Sequence, residues 1–155
     1  MLKTTQKKYD YDFIVIGSGS GGSVGAHYAR SLGKKVALFE KTKIGGECPN
    51  WACVPTKALL HSARTLEDAR NTIPFGVHAP DVSFRFKEVQ EYRALVVSRT
   101  GAADGSKSFE DQGIDVFHSK AEFISDHEIE SAGRKFSAKK FLIATGSDVF
   151  IPPPP

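Results

Sequence analysis

Tyr11-Asp12-Phe13-Ile14-Val15-Ile16-Gly17-Ser18-Gly19-Ser20-Gly21-Gly22 starts as a short apolar run and ends as a glycine cluster. An unbroken apolar run of this length is expected of a central strand buried on both faces. A helical pattern follows (Val24, Ala26, Ala29, Leu32) and stops at Gly33. Lys35-Val36-Ala37-Leu38-Phe39-Glu40 then reads as a second buried strand closed by an acid. Strand, helix and strand make a βαβ unit of about 30 residues. Gly17-x-Gly19-x-x-Gly22 within it fits the dinucleotide fingerprint. The first glycine permits a tight turn, the second lets backbone N–H groups approach a pyrophosphate, and the third lets helix and strand pack closely. Glu40, 18 residues past Gly22, is spaced to accept hydrogen bonds from a ribose. The competing reading is a glycine-rich turn that only connects two elements.

Both cysteines of the chain lie just beyond, in Gly45-Gly46-Glu47-Cys48-Pro49-Asn50-Trp51-Ala52-Cys53-Val54-Pro55-Thr56-Lys57. A disulfide needs Cα atoms roughly 4.4–6.8 Å apart. Helical positions i and i+5 are about 7.5 Å apart in rise alone. A bridge therefore requires Cys48 just ahead of a helix and Cys53 in its first turns. A thiol at a helix N-terminus is expected to be acidified, and Lys57 shares the helix face of Cys53. Three readings stay open on these residues: a redox-active dithiol, two ordinary buried cysteines, or half of a zinc site. The last lacks a second ligand pair at metal spacing, and no metal site is expected.

The remaining 155-residue composition is that of a globular protein, 40% hydrophobic and 25% charged, with 14 Gly and 8 Pro. The net charge of +3 is spread, with Lys34-Lys35 and Lys139-Lys140 read as solvated strand ends. Without an aromatic-interleaved basic patch, nucleic acid is not an expected partner. No apolar run approaches a membrane span, and the polar N-terminus has no signal-like core, which implies a cytoplasmic protein. In a reducing compartment a cysteine pair is more often catalytic than structural.

A helix is expected from Lys57 to about Asn71, and a second from Phe84 to Val97 that carries on to about Asp111. His61 and His78 are expected as surface or helix histidines. Short strands are predicted at Asp115–His118, Ala121–Ile124, Glu128–Glu130 and Lys135–Phe136, with turns at Ser125-Asp126-His127 and Ser131-Ala132-Gly133. Lys140–Ala144 reads as another buried strand, running into the small-residue turn Thr145-Gly146-Ser147. Pro152-Pro153-Pro154-Pro155 has the composition of a connector.

Taken in order, Gly17-x-Gly19-x-x-Gly22 with Glu40, then Gly45-Gly46-x-Cys48-x4-Cys53-x-Pro55-Thr56-Lys57, then Ala144-Thr145-Gly146-Ser147 resemble the FAD-dependent pyridine nucleotide-disulfide oxidoreductases. This family includes dihydrolipoamide dehydrogenase, glutathione reductase and mercuric reductase. The resemblance covers Tyr11 to Pro152 and implies an α/β fold: a Rossmann-like FAD-binding domain, a parallel sheet with flanking helices, carrying an inserted antiparallel β-meander. It further implies that Gly17, Gly19, Ser20, Gly21 and Gly22 cradle the FAD pyrophosphate. Glu40 and Lys41 would then lie at the adenosine, Gly45 and Gly46 at the flavin side, Ala121 by the adenine, and Thr145-Gly146 against the cofactor. Cys48 becomes the interchange thiol, Cys53 the flavin-facing thiol, and Lys57 reaches the isoalloxazine. Electrons would pass from NAD(P)H through FAD to a Cys48–Cys53 disulfide and on to a disulfide or metal-ion substrate.

Ala52, Thr56, Ser119 and Asp148 depart from the family's usual residues without removing a reacting group. By the same resemblance, residues 1–10 are a tail, 11–152 the first segment of the FAD domain and 153–155 the start of a linker. The NAD(P)-binding and dimerisation domains, expected to make the parent a homodimer, are absent. The 155 residues are expected not to turn over alone and to bind FAD weakly or not at all. The alternative is a non-catalytic nucleotide-binding module whose cysteines sense redox state.

Overall fold

In a computed structural model of the chain, residues 8–100, 105–148 and 150–153 are described. The expected tail lies for its first seven residues outside them, as does the stretch 101–104. The chain forms two compact units, one of residues 1–46 and 106–155, the other of residues 47–105.

The first unit is built on a six-stranded sheet of order β3-β2-β1-β6-β5-β4. β1 (Tyr11–Ile16), β2 (Val36–Phe39), β3 (Asp115–Phe117) and β6 (Arg134–Ile143) run parallel, with Phe13 opposite Val36 on one side and Lys140 on the other. β4 (Glu122–Ser125) and β5 (Glu128–Ser131) turn back antiparallel on the first part of β6. The expected Rossmann-like sheet with an antiparallel meander is therefore present. Three details differ from the sequence expectation. Lys135–Phe136 and Lys140–Ala144 are one ten-residue strand, β6, whose second half is only partly buried: Ile143 is 65% exposed. The strand predicted at Asp115–His118 ends at Phe117 and joins the parallel sheet beside β2. Lys139 sits mid-strand and pairs with Asp12 at 2.5 Å, so it does not mark a strand end.

Side chains alternate across β1 and β2 and so build two cores. Ile14, Ile16, Ala37 and Phe39 face Ile129, Phe136 and Ala138. There Phe39 stacks on Phe117 at 4.7 Å and meets Phe136 edge-on at 5.1 Å. Val15, Val36 and Leu38 face the other way, against Ala26 and Ala29 of α1 (Ser20–Ser31), Phe109 of α5 (Lys107–Glu110) and Ile114. Full burial of each large apolar side chain contributes about 1.5–3 kcal/mol.

The apolar pattern that identified α1 describes its buried side only in part, through Ala26 and Ala29. Val24 and Leu32 are 70% and 57% exposed, and the helix buries Gly22, Ala26 and Ala29. Small residues on the inner face let the helix lie almost on the sheet. A Cβ on Gly22 would stand 1.8 Å from the Gly17 carbonyl oxygen, and one on Gly25 2.3 Å from Leu142 Cδ2. Gly17, at φ +98, would bring a Cβ within 2.3 Å of the Ala144 carbonyl oxygen.

Ser18, fully buried, donates from its N–H and its Oγ to Glu40 Oε2 at 2.9 and 2.7 Å. Thr42 donates from its N–H and Oγ1 to Glu40 Oε1, both at 2.9 Å. Ser18 Oγ also accepts the N–H of Gly45 at 3.0 Å. One carboxylate thus ties the glycine turn after β1 to the segment after β2. Burial pushes the Glu40 carboxyl up, but the bonds from Ser18 and Thr42 outweigh it and hold it below the ordinary glutamate range.

In the second unit α2 (Glu47–Asn50) and α3 (Cys53–Arg70) are followed by a 3₁₀ turn (Ile73–Phe75) and α4 (Phe86–Arg99). α3 ends where expected, at Asn71. α4 stops at Arg99 and is not continuous to Asp111: α5 is a separate short helix, belonging to the first unit. His61 and His78 are exposed.

Two outcomes follow for stability. Gly22→Ala should cost about 1–3 kcal/mol or more by overpacking, whereas Gly19→Ala, whose Cβ meets nothing within 4 Å, should melt like the parent in urea. A lowered folded-state pKa contributes stability that is present above the unfolded value and lost as pH falls through the folded one. The stability advantage of the parent over Glu40→Gln should therefore be full at neutral pH and shrink below about pH 4.5. Denaturant titrations of both proteins across that range measure the difference.

Candidate functional site

The turns that leave β1, β2, β3 and β6 at their carboxyl ends enclose a cavity of about 200 Å³. Ile16–Gly19, Phe39–Lys41, Ser119–Ala121 and Ala144–Gly146 line it. In open α/β sheets ligands sit outside the carboxyl ends of the strands where the order reverses; here β1 is that point, with β2 on one side and β6 on the other. The volume is below the roughly 300–1,000 Å³ of drug-sized ligand pockets, so it suits one end of an extended ligand.

Of the residues expected at a nucleotide, the cavity brings together Gly17, Gly19, Glu40, Lys41, Ala121, Thr145 and Gly146. Gly22 is buried under the turn against Gly17 and does not face the cavity. Ser20 and Gly21 open α1, whose cap residue Gly19 offers no side-chain bond and whose first turn has no acid. First-turn N–H groups lack intrahelical acceptors and attract anions. Gly45 and Gly46 adjoin the turn, Gly45 through Ser18 Oγ and Gly46 by backbone: a Cβ on Gly46 would lie 2.9 Å from Gly19 Cα.

The three fingerprint glycines therefore differ in cause. Contacts within the protein require Gly17 and Gly22. Nothing in the protein requires Gly19, whose missing Cβ leaves open space beside an uncapped helix start. A phosphate-bearing ligand fits that opening, and the residues present fit a dinucleotide.

Residues that sequence reasoning did not assign also matter here. Ser18 and Thr42 occupy both Glu40 oxygens; a carboxylate has about four acceptor sites, all four met by protein donors. A hydroxyl flanked by two glycines, and another two residues past the acid, were the available signals. Ser119 and Lys120 line the cavity with Ala121.

Within the second unit, Cys48 lies in α2 and Cys53 is the first residue of α3. Cys48 is thus not simply ahead of the helix; Pro49 and the turn through Trp51-Ala52 give it a short helix of its own, with Trp51 and Ala52 N–H groups both donating to the Glu47 carbonyl. Both thiols are free, Cys48 half-buried and Cys53 exposed. The side chains hydrogen-bond one another, and this bond is the main cause that pushes the Cys48 thiol up; Lys57 pulls it down more weakly. Cys53, Lys57, His61 and Arg64 share one face of α3 along an open cleft of about 540 Å³. Among the described residues no group of three or more His, Cys, Asp or Glu side chains could hold a metal ion, and no helix is long and apolar enough to cross a membrane.

The family profile described as pyridine nucleotide-disulphide oxidoreductase matches residues 11–155. Dihydrolipoyl dehydrogenase from Staphylococcus aureus is 37% identical over 141 residues, spanning 88% of this chain and 30% of that protein. Mercuric reductase from Bacillus cereus is 31% identical over 93% of this chain and 23% of its own length. Among solved structures, the HOCl-induced flavoprotein disulfide reductase RclA from Escherichia coli, determined as a Cu(II) complex, superposes with a TM-score of 0.75. It is 27% identical, over 93% of this chain and 30% of RclA. The chain thus spans less than a third of the length of these relatives. These matches show that the chain belongs to the pyridine nucleotide-disulphide oxidoreductase family.

Proposed function

We propose that this chain is the flavin- and dithiol-bearing portion of a disulfide reductase that passes electrons from NAD(P)H to a disulfide or metal-ion substrate. The observation that carries the reading is the interaction between the Cys48 and Cys53 side chains, both of them free thiols. The names of relatives support both substrate classes: a dihydrolipoyl dehydrogenase, a mercuric reductase and a reductase solved with Cu(II).

FAD fits the cavity residues: the Gly19 opening and the start of α1 would take its pyrophosphate, and the cavity by Glu40, Lys41 and Ala121 its adenosine. When bound, FAD supplies a two-electron relay between a nicotinamide reductant and the sulfur couple. The chemistry of this chain's own residues lies at sulfur. Cys48 Sγ, as thiolate, attacks one sulfur of the substrate disulfide, and the other leaves and takes up a proton. Cys53 Sγ then attacks Cys48 Sγ, releasing the second substrate thiol and closing the Cys48–Cys53 bond. One disulfide is reduced and one dithiol oxidised; two electrons originating from NAD(P)H restore the dithiol. Cys48 is the half-buried thiol and Cys53 the exposed one in this structure. Lys57, one turn beyond Cys53, favours thiolate at Cys48.

The chain equilibrated in glutathione redox buffers and trapped with a maleimide should lose both thiols together, as a single intramolecular loss of two hydrogens by mass spectrometry. Independent glutathione adducts on both cysteines would refute the couple. Because Cys53 is what raises Cys48, Cys53→Ala should move the alkylation–pH profile of Cys48 to lower pH.

A further inference from the structure

A short hydroxyl chain borders the nucleotide cavity. Ser131 Oγ lies 2.7 Å from the Lys120 carbonyl oxygen and 2.6 Å from Ser119 Oγ. A carbonyl only accepts, so the single proton of Ser131 is committed to Lys120. The proton between the two serines must then come from Ser119. Ser131 is buried at 3% exposure, which holds the arrangement away from water. Ser119 is half-buried and lines the cavity, and with its proton directed at Ser131 it can offer a ligand only lone pairs.

We infer that Ser119 is a specificity-determining residue of the cavity: it accepts a hydrogen bond from the exocyclic amino group of a 6-aminopurine and rejects a 6-oxopurine. The inference rests on the proposed reading of the cavity as an adenosine seat. An oxo group at the same place would set two acceptors against each other. The side chain of Ala121 is apolar, and the Lys120 ammonium, the donor that could serve a 6-oxo group, pairs with Glu122 at 2.6 Å. A satisfied hydrogen bond contributes modestly, and an unmatched polar contact costs more. The preference should therefore be about fivefold to tenfold.

The test titrates the ¹⁵N-labelled chain with ADP and with IDP, read by NMR chemical-shift changes at Gly19, Ala121 and Gly146. ADP should bind about five to ten times more tightly than IDP. Ser119→Ala should reduce the ratio to about two or less, mainly by weakening ADP. Ser131→Ala releases the Ser119 hydroxyl to rotate and donate, so IDP should bind more tightly than to the parent; a merely structural serine would not produce that gain. Equal binding of ADP and IDP by the parent, or an undiminished preference in Ser119→Ala, would overturn the assignment while leaving the cavity a nucleotide seat. Shifts from neither nucleotide would overturn the adenosine seat itself, and this assignment with it.

Discussion

A carboxylate held by four hydrogen bonds at the end of β2 sets the geometry on which the cavity at the strand ends depends. Glu40 is 7% exposed, and a buried charge is tolerated only when its lone pairs are met. Ser18 and Thr42 meet them, and Ser18 also receives the N–H of Gly45. The turn after β1, the segment after β2 and the first glycine of the Gly45-Gly46 pair are thereby joined through one side chain and one hydroxyl. The acid is thus first an organiser of its own backbone donors.

Around that latch, the glycine turn divides its work. Gly17 and Gly22 are required by backbone contacts of 2.3 and 1.8 Å to any added Cβ, which press α1 against the ends of β1 and β6. Of these three glycines only Gly19 faces open space, so packing does not account for its lack of a side chain. The hydroxyls of Ser18, Ser119 and Ser131 supply the polar trim that three glycines and a cluster of phenylalanines cannot.

Much of this was legible from spacing. The βαβ unit, the strands at the meander, the end of α3 and the two meander turns follow from period and punctuation, which are local properties. What was missed is tertiary in origin. Val24 and Leu32 fit a helical stripe, yet the sheet selects the small residues Gly22, Ala26 and Ala29 because their backbones approach most closely. The continuity of β6 across Ser137 to Lys139 was hidden because its two halves pair with different strands, the first with β5 and the second with β1. Partnered hydroxyls leave no periodic trace at all, so Ser18 and Thr42 escaped assignment while Glu40 did not.

The strand that joins the parallel part of the sheet to the meander is also the last of the described strands. β6 lies directly beside β1, and the two are joined by bonds between residues as far apart as Asp12 and Lys139. During synthesis the first strand therefore waits, with one edge unsatisfied, until nearly the whole described chain has left the ribosome. Contacts of such long sequence separation close slowly. An emerging chain with an open apolar edge is prone to wrong pairings. The buried Phe39, Phe117 and Phe136 group gains its third ring only at that same late moment.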